Sequence, residues 1–421
     1  MRQDDVPSFF DVRMRGFRDR AEVEQVLAVL KQRLRPLPAE MVSVKEAAGR
    51  VLAGDVVAAV AVPAFDRAAM DGYALQAQET FGASAYNPME FAIAGEALPG
   101  QPFPGRLQPG QAVRIMTGAP LPEGADAVLQ AEAAEESRGR LRVSDAVPPG
   151  RHVGHRGEDV AEGAVVLASG RVLRPQDLGV LASIGAARIA VVRRPRVALL
   201  VTGNELLPCG SKPEGYRIID SNSVMLDALV RRDGGVPEAA QLLADGYEVV
   251  RAALIAADAD VMLMSGGSSV GKEDHAPRVL AEVGELSFHG MALRPASPAG
   301  VGFIDNRPVF LLPGNPVSCL SAYDFFAGPA IRRLGGRSMD WPYRCVTLTL
   351  DRKIVSAVGR VDYVRVQIRD GRVEPLATSG ASILTSTTRA DGFVIVARDS
   401  EGIAAGQAVQ VFLYDERPDP T

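Results

Sequence analysis

Between residues 21 and 34 the apolar positions Val23, Val26, Leu27, Leu30 and Leu34 recur at helical spacing, which predicts an amphipathic helix with one buried face. Ser43 followed by Glu46 has the form of a capping box and predicts a second helix running through Leu52. From about Val60 to Gly150 the texture changes. Short apolar runs are separated by Pro and Gly clusters such as LPGQPFPGRLQPGQ, the pattern of a small β-rich module. Residues 151–193 mix β-like runs (AVVLAS) with a helical stretch, Pro175 to Ser183, and end at Arg193-Arg194-Pro195. The next block alternates strand and helix: strand Val197–Val201, helix Ser223–Arg232, a strand near Ala239–Leu243, helix Glu248–Ala257, strand Val261–Met264, helix Ala276–Val283, strand Val309–Leu312 and helix Ser318–Leu334. Such alternation predicts a parallel-type sheet with helices on both faces and ligands at the carboxyl ends of the strands. From about Trp341 the pattern is β again, with Val346, Leu348 and Leu350 alternating and Asp370-Gly371 signalling a hairpin between VRVQIR and RVEPL. The expected fold is therefore multidomain, α/β plus β.

Composition narrows the class. The 421 residues are 47% hydrophobic and 23% charged, enough for two or three domains at roughly 150 residues each. A net charge of -5 leaves no global cationic footprint for nucleic acid. Cys209, Cys319 and Cys345 are too few and too scattered for a disulfide framework, which predicts a cytoplasmic home. The charged N-terminus lacks the apolar core of a signal peptide, and stretches such as Val197–Val201 fall far short of the ~20 residues of a membrane helix. A soluble protein with no nucleic-acid and no membrane partner is expected. Of its 46 cationic residues only five are lysine.

Three strands of the alternating block run into polar, glycine-containing loops: Thr202-Gly203-Asn204-Glu205, Ser265-Gly266-Gly267-Ser268-Ser269-Val270-Gly271, and Pro313-Gly314-Asn315-Pro316-Val317-Ser318. Glycine lets backbone N–H groups approach an anion, and a helix starting just after the loop adds the positive end of its dipole. One such loop can be a tight turn and nothing more; three together sketch a phosphate or oxyanion site. Gly266, Gly271 and Lys272 also satisfy GxxxxGK, but Glu273 stands where a nucleotide P-loop needs a hydroxyl for magnesium. Glu205, Asp245 and Asp274 are candidate acids for a magnesium ion bridging to phosphate oxygens. Against that, Asp274 has the position of a helix N-cap and Asp245 that of a turn residue. His152 and His155 have HxxH spacing, but Gly154 and Gly157 argue for a loop rather than a zinc-binding helix. No Ser/His/Asp or Cys/His constellation is legible, which argues against covalent catalysis.

The segments PAFDRAAMDGYAL (Pro63 to Leu75), RIMTGAPLPEGADAVLQAE (Arg114 to Glu132), RGEDV (Arg156 to Val160), VTGNEL (Val201 to Leu206), IIDSN (Ile218 to Asn222), SGGSSVGKED (Ser265 to Asp274) and LPGNPVS (Leu312 to Ser318) occur in order over nearly the whole chain. Together they strongly resemble the MoeA-type molybdopterin molybdotransferases. The resemblance implies an elongated, L-shaped, four-part subunit of a homodimer, with the active site completed by the other subunit. The parts would be a linker and dimerisation domain (11–59 with 151–193), a β-rich inserted module (60–150), a molybdopterin-binding α/β domain (194–338) and a C-terminal β-barrel-like domain (339–421). The implied reaction inserts molybdate into adenylated molybdopterin and releases AMP with the help of Mg2+. The molybdopterin adenylyltransferase and molybdoenzyme maturation factors would be protein partners.

Carried over position by position, the resemblance implies a catalytic set of Asp71, Thr117, Glu205 and Asp274, with Glu205, Asp245 and Asp274 holding the metal. Gly266, Gly267, Ser268, Gly314 and Asn315 would bind substrate through the strand-end loops, and Ser318 would donate to the molybdate. Arg294, Ser297 and Pro298 would border the oxyanion, Arg365 would bind it, and Ser382, or Ala381 one place earlier, would lie near it. The chain also departs from the family pattern. Where the family shows KPGKP it has Arg294-Pro295-Ala296-Ser297-Pro298, a lysine expected four residues earlier is Gly290, and a usual serine is Ala69. Arginine binds an oxyanion in two-pronged fashion but stays protonated near neutral pH and cannot act as a proton carrier, so the change at 294 is not neutral. Two other readings therefore stand beside the transferase: a weakened or inactive paralogue acting as a cofactor carrier or scaffold, and a P-loop nucleotide hydrolase.

Overall fold

The computed structural model describes residues 19–268, 274–377 and 380–415. They form two compact units, residues 41–191 and the remainder of the chain. Among the described residues no helix is long and apolar enough to cross a membrane.

The larger unit opens with α1 (Val23–Arg33), which buries Val23, Val26 and Leu30 as their spacing predicts. Its α/β part runs β1 (Arg196–Thr202), α2 (Asn222–Arg232), α3 (Tyr247–Ala256), β2 (Val261–Ser265), α4 (Ala276–Val283), β3 (Glu285–His289), β4 (Gly300–Ile304), β5 (Arg307–Leu312), α5 (Pro316–Ala322) and α6 (Gly328–Leu334). The seven-stranded sheet has the order β1-β2-β5-β4-β3, with the short strands Val236–Pro237 and Gln241–Leu243 both paired to the outer side of β1. Side chains of a strand alternate between faces. Val197 and Leu199 accordingly pack with α1, α2, α5 and α6, and Ala198 and Leu200 with α3 and α4. Burial on both faces is what makes these strands continuous apolar runs rather than alternating ones.

Three expectations are corrected. The sheet is mixed, because β5-β4 and β4-β3 are antiparallel while β1-β2 and β2-β5 are parallel. β4 is interrupted as an apolar run by Gly302, where a Cβ would stand 2.1 Å from the Glu285 carbonyl oxygen. Asp305 and Asn306, both at positive φ, make the two-residue turn that a β4-β5 hairpin requires. The predicted helix Ser318–Leu334 is instead α5, a π-helical turn Tyr323–Ala327, and α6. Pro329 lacks the N–H that a regular helix would direct at Phe325, and the wider turn accommodates that loss. The predicted helix after Ser43 is only a single turn, Val44–Glu46, in which the serine side chain makes no cap. There Gly49, at φ 72°, turns the chain and donates its N–H to the Leu173 carbonyl.

Beyond α6 the chain forms β6 (Arg344–Leu350), β7 (Val361–Arg369), β8 (Arg372–Ala377), β9 (Gly392–Val396) and β10 (Ala408–Leu413). The order β7-β8-β6-β10-β9 closes on itself through β9-β7, a five-strand barrel filled by residues such as Val364, Val366, Val394 and Val411. Asp370-Gly371 turns β7 into β8, as the sequence predicts. Polar bonds tie the barrel to the helices. Arg232 binds Asp233, Asp324 and the Tyr343 hydroxyl, and the Arg332 guanidinium binds Asp233 at 2.7 Å and the Met339 carbonyl at 3.0 Å.

The smaller unit is a half-barrel of six strands in the order Ala127–Gln130, Gly72–Leu75, Gln111–Ile115, Met89–Ala97, Arg140–Val143, Ala134–Ser137. Its helix Pro175–Ser183 falls where the sequence places it. Buried Asp177 in the first turn accepts bonds from Arg171 (2.9 and 3.0 Å) and from the Arg174 N–H (2.9 Å).

Two predictions follow from these buried charges. Asp233→Ala strands Arg332 and part of Arg232 without a counter-charge and is expected to cost about 3–5 kcal/mol, read from the urea unfolding midpoint. For Asp177, the Arg171 guanidinium and then Arg174 hold the carboxyl well below the usual carboxylate range. A depressed native value stabilises the fold above the unfolded pKa of about 3.9 and the benefit vanishes as pH falls toward the native one. Asp177→Asn should therefore lower the melting temperature at neutral pH, with the gap to the parent closing below about pH 4.

Candidate functional site

The carboxyl ends of β1, β2 and β5 open into a cavity of about 840 Å³. Its walls are the loops that leave those strands, together with Ile218–Asn222 at the start of α2, Asp274, Pro298 and Ser382. Gly266 and Gly267 adopt φ 89° and 57°. A Cβ on Gly266 would lie 2.3 Å from the Thr202 carbonyl oxygen, so only glycine lets this loop cross the end of β1.

Glu205, Asp245 and Asp274 all line the cavity, as do Gly266, Gly267, Ser268, Gly314, Asn315, Pro298 and Ser382. Asp245 is clamped by Asn204: its Oδ2 accepts the Asn204 N–H at 2.9 Å, and its own N–H donates to Asn204 Oδ1 at 3.2 Å. His275, not Asp274, holds the N-cap position of α4. The His289 ring bonds the Ser268 carbonyl at 3.0 Å, and burial pushes its pKa down against the opposing pull of that bond and of Asp274. Lys272 and Glu273 of the P-loop-like stretch lie outside the described residues.

Other candidates are placed elsewhere. Ser318 is buried on α5 and is not part of the wall. The preceding N–H, of Val317, donates to the Ala381 carbonyl at 2.9 Å, which sets the segment bearing Ser382 against α5. Arg365 is wholly buried on β7, where desolvation pushes its pKa down. Arg294 is ion-paired with buried Asp362, whose Oδ2 also accepts the Ser356 hydroxyl at 2.7 Å, and Ser297 stands off the wall. Asp71 and Thr117 belong to the smaller unit and meet each other there. Asp71 Oδ1 accepts the Thr117 hydroxyl at 2.6 Å and its N–H at 2.7 Å, and these two bonds hold the carboxyl below its ordinary value.

Asp220 and Asn222 line the cavity; both fall in the IIDSN segment of the sequence, but neither is assigned a site role there. Asp220 Oδ1 accepts the N–H groups of Asn222 (2.9 Å) and Ser223 (3.2 Å) and so starts α2. The signal was an Asp-Ser-Asn run just before a helix, the usual cap chemistry.

The wall donors are oxygen atoms, the chemistry magnesium prefers. Among the described residues no three Asp, Glu, His or Cys side chains stand close enough to hold an ion between them. Glu205, Asp245 and Asp274 thus share the cavity without forming the expected three-carboxylate ligand set, and a Mg2+ there would take one or two of them and complete its shell with water and phosphate oxygens.

The departures from the family pattern at 290 and 294–298 have a backbone side. Gly290 adopts φ 89°, with its N–H on the Ala299 carbonyl and its carbonyl accepting from Ala21, so a lysine there would be strained. Ala296 is the reverse case, a residue with a Cβ held at φ 128°.

A sheet whose parallel core ends in a polar, glycine-walled cavity, joined to a closed barrel, defines an α/β ligand-binding protein suited to an anionic, phosphate-bearing ligand. This chain belongs to the MoeA family. Residues 21–185 match the model for the MoeA N-terminal region (domain I and II), 198–333 that for a "Probable molybdopterin binding domain", and 347–414 that for the MoeA C-terminal region (domain IV). The chain is 34% identical over 405 residues to the molybdopterin molybdenumtransferase 2 of Mycobacterium tuberculosis, covering 93% of this chain and 98% of that one. It is 32% identical over 394 residues to the molybdopterin molybdenumtransferase of Haemophilus influenzae, covering 91% and 96%. The crystal structure of a molybdopterin biosynthesis MoeA protein from Pyrococcus horikoshii superposes with a TM-score of 0.84 at 31% identity, over 95% of this chain and 100% of that one.

Relieving the positive φ at 296 gives a direct test of local strain. Ala296→Gly is expected to stabilise the protein by about 1 kcal/mol, measured as a shift of the denaturant midpoint at unchanged slope.

Proposed function

We propose that this protein inserts molybdate into adenylated molybdopterin with release of AMP, in the last step of molybdenum cofactor synthesis. The observation that carries the reading is the single cavity into which three glycine-containing strand-end loops and Glu205, Asp245 and Asp274 converge, in a chain of the MoeA family. Backbone N–H groups of the Gly266 and Gly314 loops would hold the anionic groups of the substrate, which a neutral dipole can do without a counter-charge of its own. One or two of Glu205, Asp245 and Asp274 would hold Mg2+, the rest of its shell being water and phosphate oxygens. Bound there, such an ion would supply positive charge to offset that of the phosphate anhydride. Pro298 and Ser382 would close the wall on the side of the barrel. Asp71 and Thr117 enter this reading as catalytic residues contributed within a homodimer, and the cytoplasm as the place of action.

A carrier without turnover is the second reading, favoured by one observation: the guanidinium of Arg294 is matched by Asp362, while Gly290 and Ser297 offer no cation.

Incubation with adenylated molybdopterin, molybdate and Mg2+ separates the two. The transferase reading expects AMP release that falls at least tenfold in Asp274→Asn. The carrier reading expects pterin binding without AMP release, and equal binding by Asp274→Asn.

A further inference from the structure

We propose that Asn222 is a positioning residue: its side-chain amide ties the loop after β5, at Gly314, to the carboxyl end of β2, at Ser265, and so fixes where that loop stands at the mouth of the cavity. The inference rests on the reading of this cavity as the substrate site. Asn222 is the first residue of α2 and is 6% exposed. Its Nδ2 donates to the Ser265 hydroxyl at 2.9 Å and to the Gly314 carbonyl at 2.7 Å. These acceptors stand at the ends of two different strands, and a carbonyl can only accept, so the orientation of the amide is fixed. Ser265 is itself fully buried, with its hydroxyl 3.8 Å from the Cys319 sulfur on α5, so the tie is anchored in the core rather than in solvent.

What the residue holds in place is close to contact already. A Cβ on Gly314 would lie 3.7 Å from the Gly266 Cα, so the two glycine loops stand one methyl group apart. The Oδ1 of Asn222 is buried without a partner. A buried acceptor left unmatched is rare in native proteins and calls for a reason. Here the reason is the nitrogen, since two donors on one atom reaching both a strand end and a loop is something neither serine, leucine nor aspartate supplies. Aspartate, with nearly the same shape, would remove both donors and set a carboxylate against the Gly314 carbonyl.

The experiment compares the full-length protein with Asn222→Asp, Asn222→Ser and Ser265→Ala, by hydrogen exchange, melting temperature and steady-state kinetics with adenylated molybdopterin. Expected for Asn222→Asp are at least tenfold faster exchange at the Gly314, Asn315 and Val317 amides, a melting temperature within a few degrees of the parent, and a KM raised tenfold or more with kcat within about threefold. Asn222→Ser keeps a small polar residue at the helix start and should show the same selective pattern should the aspartate variant fail to fold. Combined with Ser265→Ala, the effect of Asn222→Ser on KM should be less than additive, because both act through one tie. Unchanged exchange at those amides, or exchange raised equally throughout the sheet with KM unaltered, overturns the proposal. Absence of AMP release from the parent would overturn the transferase reading alone, because the exchange measurement needs no turnover.

Discussion

Parallel strands one hydrogen-bond ladder apart leave little room between the loops that follow them, and after β2 the chain crosses directly over Thr202 at the end of β1. That crossing is possible because Gly266 has no side chain to meet the Thr202 carbonyl. The same approach leaves the Thr202 hydroxyl covered, brings the Gly314 turn against the Gly266 Cα, and places Asp220 and Asn222 at the floor between them. Glu205, Asp245 and Asp274 line the space the loops enclose. A cavity built this way is lined by backbone, whose N–H groups suit anions whatever the side chains around them.

The second determinant is the docking of the barrel on the helices. Ser382 reaches the cavity because the segment that carries it is bonded to the first turn of α5. The barrel is held there by an aromatic cluster in which Trp341 packs edge-on to Phe325, Phe393 and Phe412, and by Asp324 in the π-turn, which receives Arg232 and Tyr343. Burial raises the Asp324 pKa while the Arg232 guanidinium pulls it back, so the carboxyl depends on its partner. Buried ion pairs add little net stability but are costly to break, and they specify one arrangement of the elements they join. The π-turn is thus part of the joint, because it turns Asp324 inward where a regular helix carrying Pro329 would be broken.

Much of this was legible in the residues. Helix positions such as Val23, Val26 and Leu30, the alternation of the α/β block and the Asp370-Gly371 turn follow from local physics, and the glycine loops announce a strand-end site. What was hidden depends on distant partners. The strand Gly300–Ile304 has no counterpart among the predicted elements, and its Gly302 is explained only by the Glu285 carbonyl against it. Ser43 and Glu46 satisfy the spacing of a capping box, yet the chain is turned by Gly49 and Leu173, more than a hundred residues away in sequence from each other. For the site, the acids and glycines on the wall were visible as types. Asn222 was not, because an asparagine that bonds Ser265 and Gly314 is indistinguishable in sequence from one that merely starts a helix. Arg294 was visible as a cation but not as one already matched by Asp362.

That last pairing bears on how the cavity handles negative charge. A chain with 41 arginines and five lysines has few residues that can be both cationic and compact. At 294 the guanidinium engages a buried carboxylate, a contact for which its planar fork is suited. At 290 the backbone adopts a conformation that favours glycine, so a cation there would have to come with a changed turn between β3 and β4. Meanwhile Ala296 holds a conformation suited to glycine. On the proposed reading, neutralisation of an anion in this cavity would then fall, among the described residues, on backbone dipoles and on an ion held by one or two of the carboxylates. A site of that kind depends on how accurately its loops are spaced, since a dipole loses its hold on a charge with distance faster than a second charge does. The fixed amide of Asn222 and the missing side chain of Gly266 are therefore two halves of one device: glycine allows the loops to approach, and asparagine sets where they stop.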